Sequence, residues 1–357
     1  MTTIGDVQER LTEVRPPGGP RHVLELGMVR GLDLRDGVVT IRFAPGSMPP
    51  PLVSAVKMEM ERAVGALEGI VRVEVQTEQA GAGAAGGPAA PQQAPIPGVR
   101  DIIAVASAKG GVGKSTVAVN LALALQGEKR RVGLLDSDVY GPSLPLMLGV
   151  QDRPQMSEGK RIIPLEKYGL QLMSMGFFLD DSSPVIWRGP MVMGLVRQFL
   201  KDVEWHDLDL LVIDLPPGTG DAQLTLVQLV PLAGGVIVTT PQDVALLDVQ
   251  RGVAMFQQVN TPILGVVENM SFYVCPQCGK KEDIFGEGGG KRLGDFFSVP
   301  LLGQIPLMPA VRESGDAGKP IVIAEPQHPV SAVFRRVAQG VLDEIEAARQ
   351  PAPRIIG

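Results

Sequence analysis

Residues 102–125 leave few folds open. An apolar run, Ile102-Ile103-Ala104-Val105-Ala106, leads through Ser107 and Ala108 into Lys109-Gly110-Gly111-Val112-Gly113-Lys114-Ser115-Thr116, and a helical pattern follows over 117–125. Strand, glycine loop and helix in that order are the context a phosphate-binding P-loop requires. Without side chains, Gly110, Gly111 and Gly113 let successive backbone N–H groups turn toward a triphosphate, whose charge the positive end of the next helix also favours. Lys114 is placed to reach the terminal phosphates and Ser115 to hold Mg2+, with Val112 and Thr116 completing the nucleotide-binding loop. The strict pattern has a glycine where this chain carries Ala108, and Lys109 is a second lysine inside the loop.

Further apolar segments place this motif in a larger domain. Residues 131–135, 210–213, 235–239 and 263–267 are short, β-branched and nearly all apolar, alternating with helical stretches. Strands buried on both faces of a parallel sheet have this composition, so a doubly wound, mostly parallel α/β domain is expected over 99–350. Its last helix, 330–347, spaces its apolar residues for one buried face, and 351–357 reads as a frayed tail. Residues 79–98 are rich in Gly, Ala, Pro and Gln, with Ile96 as the one large apolar side chain. Such a stretch buries too little to order itself and reads as a flexible linker. Before it, a strand over 38–43, a helix over 52–67 and a strand over 71–75 make a small α+β domain of residues 1–78.

The ends of the buried strands carry acids. Leu134-Leu135-Asp136-Ser137-Asp138 closes one, and Leu211-Val212-Ile213-Asp214, followed by Pro216-Pro217-Gly218-Thr219-Gly220-Asp221, closes another. An aspartate ending a buried strand can hold Mg2+ through water, and Asp214 suits that role. The backbone N–H of Gly218 is placed to sense a γ-phosphate. The plainer role for an aspartate at a strand end is to cap the next helix. Asn269, ending the strand that begins at residue 263, has an amide that can both donate to and accept from the edge of adenine, or serve the turn after the strand.

Cys275-Pro276-Gln277-Cys278 contains both of the chain's cysteines. Two thiolates at this spacing can converge on one metal centre, but a closed site needs four ligands, and His22, His206 and His328 are isolated from the pair. One chain therefore provides half a site. A symmetric dimer provides four thiolates, enough for one zinc ion or one iron-sulfur cluster between subunits, and the spacing does not choose between them. A thioredoxin-like redox pair is the competing reading.

Residues 107–116, 134–143, 214–221 and 265–290, with Gly303-Gln304-Ile305-Pro306 and 312–318, closely resemble the Mrp/ApbC iron-sulfur cluster carrier ATPases. Lys109 marks the deviant Walker A class that includes MinD, ParA and the nitrogenase iron protein. The resemblance implies a slow ATP hydrolase that, as a homodimer, binds a labile 4Fe-4S cluster on Cys275 and Cys278. It implies exchange with a cluster assembly scaffold and delivery to apoproteins. It further implies that Lys109 crosses the dimer interface to the partner's nucleotide, that Asp138 orients or activates the attacking water with Asp136 supporting the metal shell, and that Asn269 meets the adenine. Residues 1–78 resemble the MIP-type domain that precedes such ATPases. Ala44-Pro45-Gly46-Ser47-Met48-Pro49 lies where relatives commonly carry a cysteine, and Arg15-Pro16-Pro17 replaces the usual Asp-Pro-Glu, so partner docking is the expected role there.

The alternatives are a ParA/MinD-type positioning ATPase and a zinc-stapled dimeric scaffold. The first needs a basic membrane helix or a basic DNA patch, yet 330–347 mixes Arg335 and Arg336 with Asp343, Glu344 and Glu346. With 33 basic against 39 acidic residues and no basic block beside aromatics, the charge pattern gives no support to a nucleic-acid partner. No apolar run reaches membrane-spanning length and no leader pattern opens the chain, so a soluble cytoplasmic protein is expected.

Overall fold

A computed structural model of the chain describes residues 2–15, 22–35, 37–45, 50–67, 69–77, 93–138, 141–178, 189–218, 221–242 and 244–349. The chain divides into two compact units, Met1–Pro88 and Ala89–Gly357.

The first unit contains α1 (Ile4–Leu11), β1 (Val29–Arg35), β2 (Val38–Phe43), α2 (Pro50–Gly65) and β3 (Arg72–Thr77). β2 lies between an antiparallel β1 and a parallel β3. Alternation in β2 turns Val39, Ile41 and Phe43 inward, where Val7 and Leu11 of α1 and Val56, Met60 and Val64 of α2 close over them. Thr3 and Asp6 cap α1 reciprocally, satisfying two of its free N–H groups. Of the segments expected to depart from relatives, Pro16, Pro17 and residues 46–49 lie outside the described residues.

The second unit runs β4 (Val99–Ala106), α3 (Lys114–Gly127), β5 (Val132–Asp136), α4 (Leu144–Leu148), β6 (Leu165–Lys167), β7 (Leu170–Ser174), α5 (Gly189–Asp202), β8 (Leu208–Asp214), α6 (Asp221–Leu229), β9 (Gly234–Thr239), α7 (Val244–Gln258) and β10 (Ile263–Asn269). A hairpin of β11 (Tyr273–Val274) and β12 (Lys281–Glu282) follows, then α8 (Gly289–Phe297), β13 (Leu301–Ile305), α9 (Pro309–Asp316), α10 (Ile321–Ala324) and α11 (Pro329–Arg349).

Eight of these strands form one sheet in the order β13-β10-β9-β4-β8-β5-β7-β6, parallel throughout except for the edge strand β6. The central strands are buried along nearly their whole length, which is why their sequences are apolar without alternation. α3 is buried over Val117–Leu125 and packs against α11, whose Val330, Phe334, Val337, Ala338, Val341 and Ile345 form the single inward stripe expected. β4 sits between β8 and β9, so successive strands are laid down first on one side of it and then on the other. Ligands in such sheets bind outside the carboxyl ends of the strands at that reversal, and the loop 107–113 leaves β4 there.

The expected linker, 79–98, falls mostly outside the described residues. Its described end belongs to the second unit: Ile96 is buried in the core, Ala94 N–H donates to the Leu229 carbonyl, and the Gly98 carbonyl accepts from Leu208 N–H. The tail 351–357 also lies outside the described residues. Among the described residues, no helix is long and apolar enough to cross a membrane.

Candidate functional site

The carboxyl ends of β4, β5, β8 and β10 bring most of the expected nucleotide residues together. Gly111 and Gly113 in the loop after β4 take φ of 80° and 77°, a left-handed conformation that strains any side-chain-bearing residue. A Cβ at Gly113 would also stand 2.2 Å from Asn269 Nδ2, so the glycine is needed for space as well as for conformation. Asn269, at the end of β10, donates that amide to the Val112 carbonyl at 2.8 Å and so ties the loop to the strand. Beside it lies a cavity of about 330 Å³ lined by Gly113, Thr116, Asn269, Met270, Met308 and Arg312, among others.

Lys114, the first residue of α3, is buried and forms an ion pair with Asp214. Asp214 is fully buried, and its Oδ2 has no hydrogen-bond partner among the described residues. Burial raises the pKa of Asp214, a rise that the Lys114 ammonium and the Ser115 hydroxyl beside it only partly offset. β5 and β8 are in a register that sets Asp136 directly opposite Asp214. Neighbouring strands lie about 4.8 Å apart, so the two carboxylates feel each other. Burial first, and then the Asp214 charge, push Asp136 up to about 7.

Asp136 is expected to support a metal shell, and its partners among the described residues are groups of the loop after β5, the start of α4 and β7. Its oxygens accept from the N–H groups of Asp138 at 3.0 Å, Ser143 at 3.2 Å and Leu144 at 3.3 Å, and from the Ser174 hydroxyl at 3.1 Å. The three N–H bonds fold the loop after β5 back onto its own strand and satisfy N–H groups at the start of α4, and the Ser174 bond ties Asp136 to β7. That loop carries Asp138, whose Oδ1 accepts from Gly141 N–H at 3.3 Å. Gly218, in the loop after β8, takes φ of 95° and gives its N–H to the Ser107 carbonyl at 3.2 Å. The same Ser107 donates its hydroxyl to the Lys109 carbonyl at 3.0 Å, so the loops after β4 and β8 are joined next to the second lysine. Thr219 and Gly220 lie outside the described residues.

Cys275 and Cys278 stand apart from this cluster, on the β11–β12 hairpin. Its strands pair Tyr273 with Glu282 and Val274 with Lys281, and the turn closes through Cys275 N–H to the Lys280 carbonyl and Gly279 N–H to the Cys275 carbonyl. Cys278 is exposed and Cys275 partly so. The backbone N–H groups of Cys278 and Gln277, and the neighbouring Cys278 thiol, hold the Cys275 thiol below the usual range. A depressed thiol pKa favours the thiolate, the form that binds metal. Among the described residues no group of three or more His, Cys, Asp or Glu side chains converges to hold a metal. His22 faces Glu25 in the first unit, and the His328 ring accepts from Val330 N–H.

One buried acid escaped the sequence reading. Glu268, next to Asn269, is fully buried and accepts from Ser271, Gly290 and Gln304. Two of its partners, Gly290 and Gln304, are far off in sequence, so no local pattern announces the cluster.

Comparison with known proteins agrees with this geometry. Residues 98–342 match the family described as NUBPL iron-transfer P-loop NTPase, and residues 5–76 match the family described as iron-sulfur cluster assembly protein. The chain is 54% identical over 251 residues to an iron-sulfur cluster carrier protein of Pseudomonas fragi, covering 69% of this chain and 88% of that one. It is 43% identical to an iron-sulfur cluster carrier protein of Synechocystis, covering 98% of this chain and 99% of that one. Among solved structures it resembles a nucleotide-binding protein of Archaeoglobus fulgidus in complex with ADP. That match has a TM-score of 0.59 and 36% identity, over 67% of this chain and 93% of that one.

Proposed function

Because the chain belongs to the NUBPL iron-transfer P-loop NTPase family, we propose that it is an ATP-dependent iron-sulfur cluster carrier whose cluster is held between two copies of the chain. It hydrolyses ATP, with Mg2+, and its cargo is an iron-sulfur cluster that it delivers to apoproteins. The observation that carries this reading is the pairing of a P-loop ATPase site with two surface thiols on the segment that leaves Asn269.

The residues present fit the nucleotide and its metal. Gly110, Gly111 and Gly113 offer backbone N–H groups to phosphate oxygens, and the β-phosphate and γ-phosphate compete with Asp214 for the Lys114 ammonium. Released from Lys114, Asp214 and the Ser115 hydroxyl offer oxygen ligands to Mg2+, and the buried, unpartnered Asp214 Oδ2 is suited to a hard cation. When bound, Mg2+ neutralises charge building on the phosphates. Asp138 accepts the proton of the attacking water, and Asp136 holds the loop that bears it. Asn269 and Thr116 line the base side of the site. Gly218 exchanges its bond to Ser107 for one to the γ-phosphate, which makes the loop after β8 sensitive to hydrolysis. Lys109 extends to the nucleotide of the second copy.

The cluster sits on Cys275 and Cys278 of both copies, whose four thiolates suffice for its iron ligation, and the resemblance to cluster carriers makes it 4Fe-4S. An exposed hairpin is suited to passing it on, because a recipient's thiols can reach the irons before the carrier's are displaced. The first unit recruits the scaffold or the recipient. Anaerobic reconstitution with iron and sulfide, followed by mixing with an apo iron-sulfur enzyme, tests the reading. Visible absorbance and recovery of the recipient's activity are expected, both abolished by Cys275→Ser. Zinc uptake without iron or sulfide would contradict it.

A further inference from the structure

Glu268 has no part in the chemistry described so far, yet it is a buried carboxylate between the two functional regions. The donors it takes among the described residues are all neutral. Gly290 N–H, in the first turn of α8, donates to Oε2 at 2.5 Å; Gln304 Nε2 donates to Oε1 at 2.7 Å; and the Ser271 hydroxyl donates to the same Oε1. A buried charge is costly unless such donors compensate it, so the three groups and the carboxylate hold one another in place. The fit at Gly290 is close: a Cβ there would come within 2.8 Å of the Glu268 Cβ.

Each donor belongs to a different segment, and two of these segments touch the nucleotide side. Gln304 pairs with Glu268 in the β10–β13 register, and β13 leads directly into Pro306, Leu307 and Met308, which line the cavity beside Asn269. Ser271 follows Met270, another cavity residue, whose φ of 53° turns the chain out of β10. The two segments are also joined to each other. Ser271 N–H donates to the Ile305 carbonyl at 2.9 Å, Leu307 N–H to the Phe272 carbonyl at 2.8 Å, and Gln304 Nε2 to the Ser271 hydroxyl at 3.1 Å. Phe272 is followed at once by β11 and then by Cys275.

We propose that Glu268 is a positioning residue that couples the nucleotide cavity to the cysteine hairpin, by holding Ser271, Gln304 and Gly290 on one carboxylate next to Asn269. A ligand that displaces the cavity wall at Met270 or at Leu307 and Met308 then moves the base of the hairpin and α8 together, and the thiols report the nucleotide. The inference rests on the reading that the cavity takes the base and the hairpin takes the cluster.

Glu268→Gln keeps the volume but directs an amide N–H at one of the three donors, so the clamp loses at least one bond without leaving a hole. The probe is alkylation of the cluster-free full chain by iodoacetamide, with and without saturating MgATP, alongside MgATP affinity by calorimetry. In the wild type MgATP should change the alkylation rate about tenfold, within the usual range of coupling between sites. Glu268→Gln should bring that ratio close to one while MgATP affinity stays near wild type, and the added change Gln304→Glu should restore it by reversing the polarity of the pair. Ser271→Ala removes one donor alone, should lower the ratio partway, and decides the matter if Glu268→Gln does not fold. An unchanged ratio in these variants, a wild type whose alkylation ignores MgATP, or a parallel loss of MgATP affinity would overturn the proposal. The carrier reading fails separately, through a wild-type chain that takes up no cluster, and that result is independent of the alkylation ratio.

Discussion

Around Lys114 and Asp214 the charged groups are buried and gathered within one chain, whereas Cys275 and Cys278 stand on a hairpin of two-residue strands, the first partly exposed and the second exposed. The first site is built mainly by the sheet: adjacent strands fix Asp136 against Asp214, and the loop after β4 is tied by Asn269 and Ser107. Such preorganisation suits a site that must stabilise charge on a transferring phosphoryl group, where reorganisation would cost rate. The second site, in the reading proposed, draws half its ligands from another copy, and its two-residue strands give it little packing of its own. Cargo that must leave needs ligands a recipient can reach, and a site shared between two chains can be opened without unfolding either.

The sharpest test of this contrast lies in turnover. Asp138→Asn should bind MgATP close to normally and hydrolyse it roughly a hundredfold or more slower, because the amide cannot take up the water's proton. Lys109→Ala should do the same if that lysine acts across the interface, and steady-state kinetics with calorimetry separates turnover from affinity. A matching loss of affinity in Lys109→Ala would place that lysine within its own chain's site, which would overturn its role across the interface and sharpen the contrast. Lys114→Ala should instead lose MgATP affinity, by about tenfold to a hundredfold for one charged hydrogen bond and more if it contacts two phosphates.

A smaller effect separates the buried from the exposed site by pH. Asp136 titrates near 7 in the folded chain, against an ordinary value of 3.8, so between those values the folded state binds more protons than the unfolded one. Stability contributed by this group is therefore greatest at low pH and falls as pH rises toward 7. Thermal melts of wild type and Asp136→Asn should show that slope flattened in the variant; parallel slopes would remove Asp136 as its source. Smallest of all should be the effect of Cys275→Ser on folding. A partly exposed thiol supports no core, so stability should stay within about 0.5 kcal/mol of wild type and MgATP affinity should be unchanged.

The same contrast explains what could be read in the sequence. Gly110, Gly111, Gly113 and Lys114 are legible because a P-loop is built from consecutive residues, and β4, β5, β8, β9 and β10 because burial on both faces leaves an uninterrupted apolar run. β1 (Val-Arg-Gly-Leu-Asp-Leu-Arg) was missed, since a half-buried strand interspersed with charges and a glycine resembles a loop. The edge strands β6 and β13 are short and incompletely buried and gave weak signals for the same reason, and β7, an inner strand of only five residues interrupted by Gln171, was missed for its shortness. Asp136 was recognisable as a strand-end acid, but its grip on Ser143, Leu144 and Ser174 depends on where α4 and β7 arrive. Glu268 was invisible as a hub, because Gly290 and Gln304 meet it only in three dimensions and Ser271 alone is near in sequence.

The central claim is that two chains share one cluster, and it follows from a count: Cys275 and Cys278 are the only cysteines in the sequence. The most direct measurement is size-exclusion chromatography of the anaerobically reconstituted protein with light scattering, visible absorbance and iron and sulfide analysis on each fraction. The account predicts that the cluster's absorbance travels with a dimer containing about four irons and four sulfides per two chains, as a four-thiolate cubane requires. A stable monomer carrying a full 4Fe-4S cluster, or a Cys275→Ser dimer with the same absorbance and iron content, would contradict it.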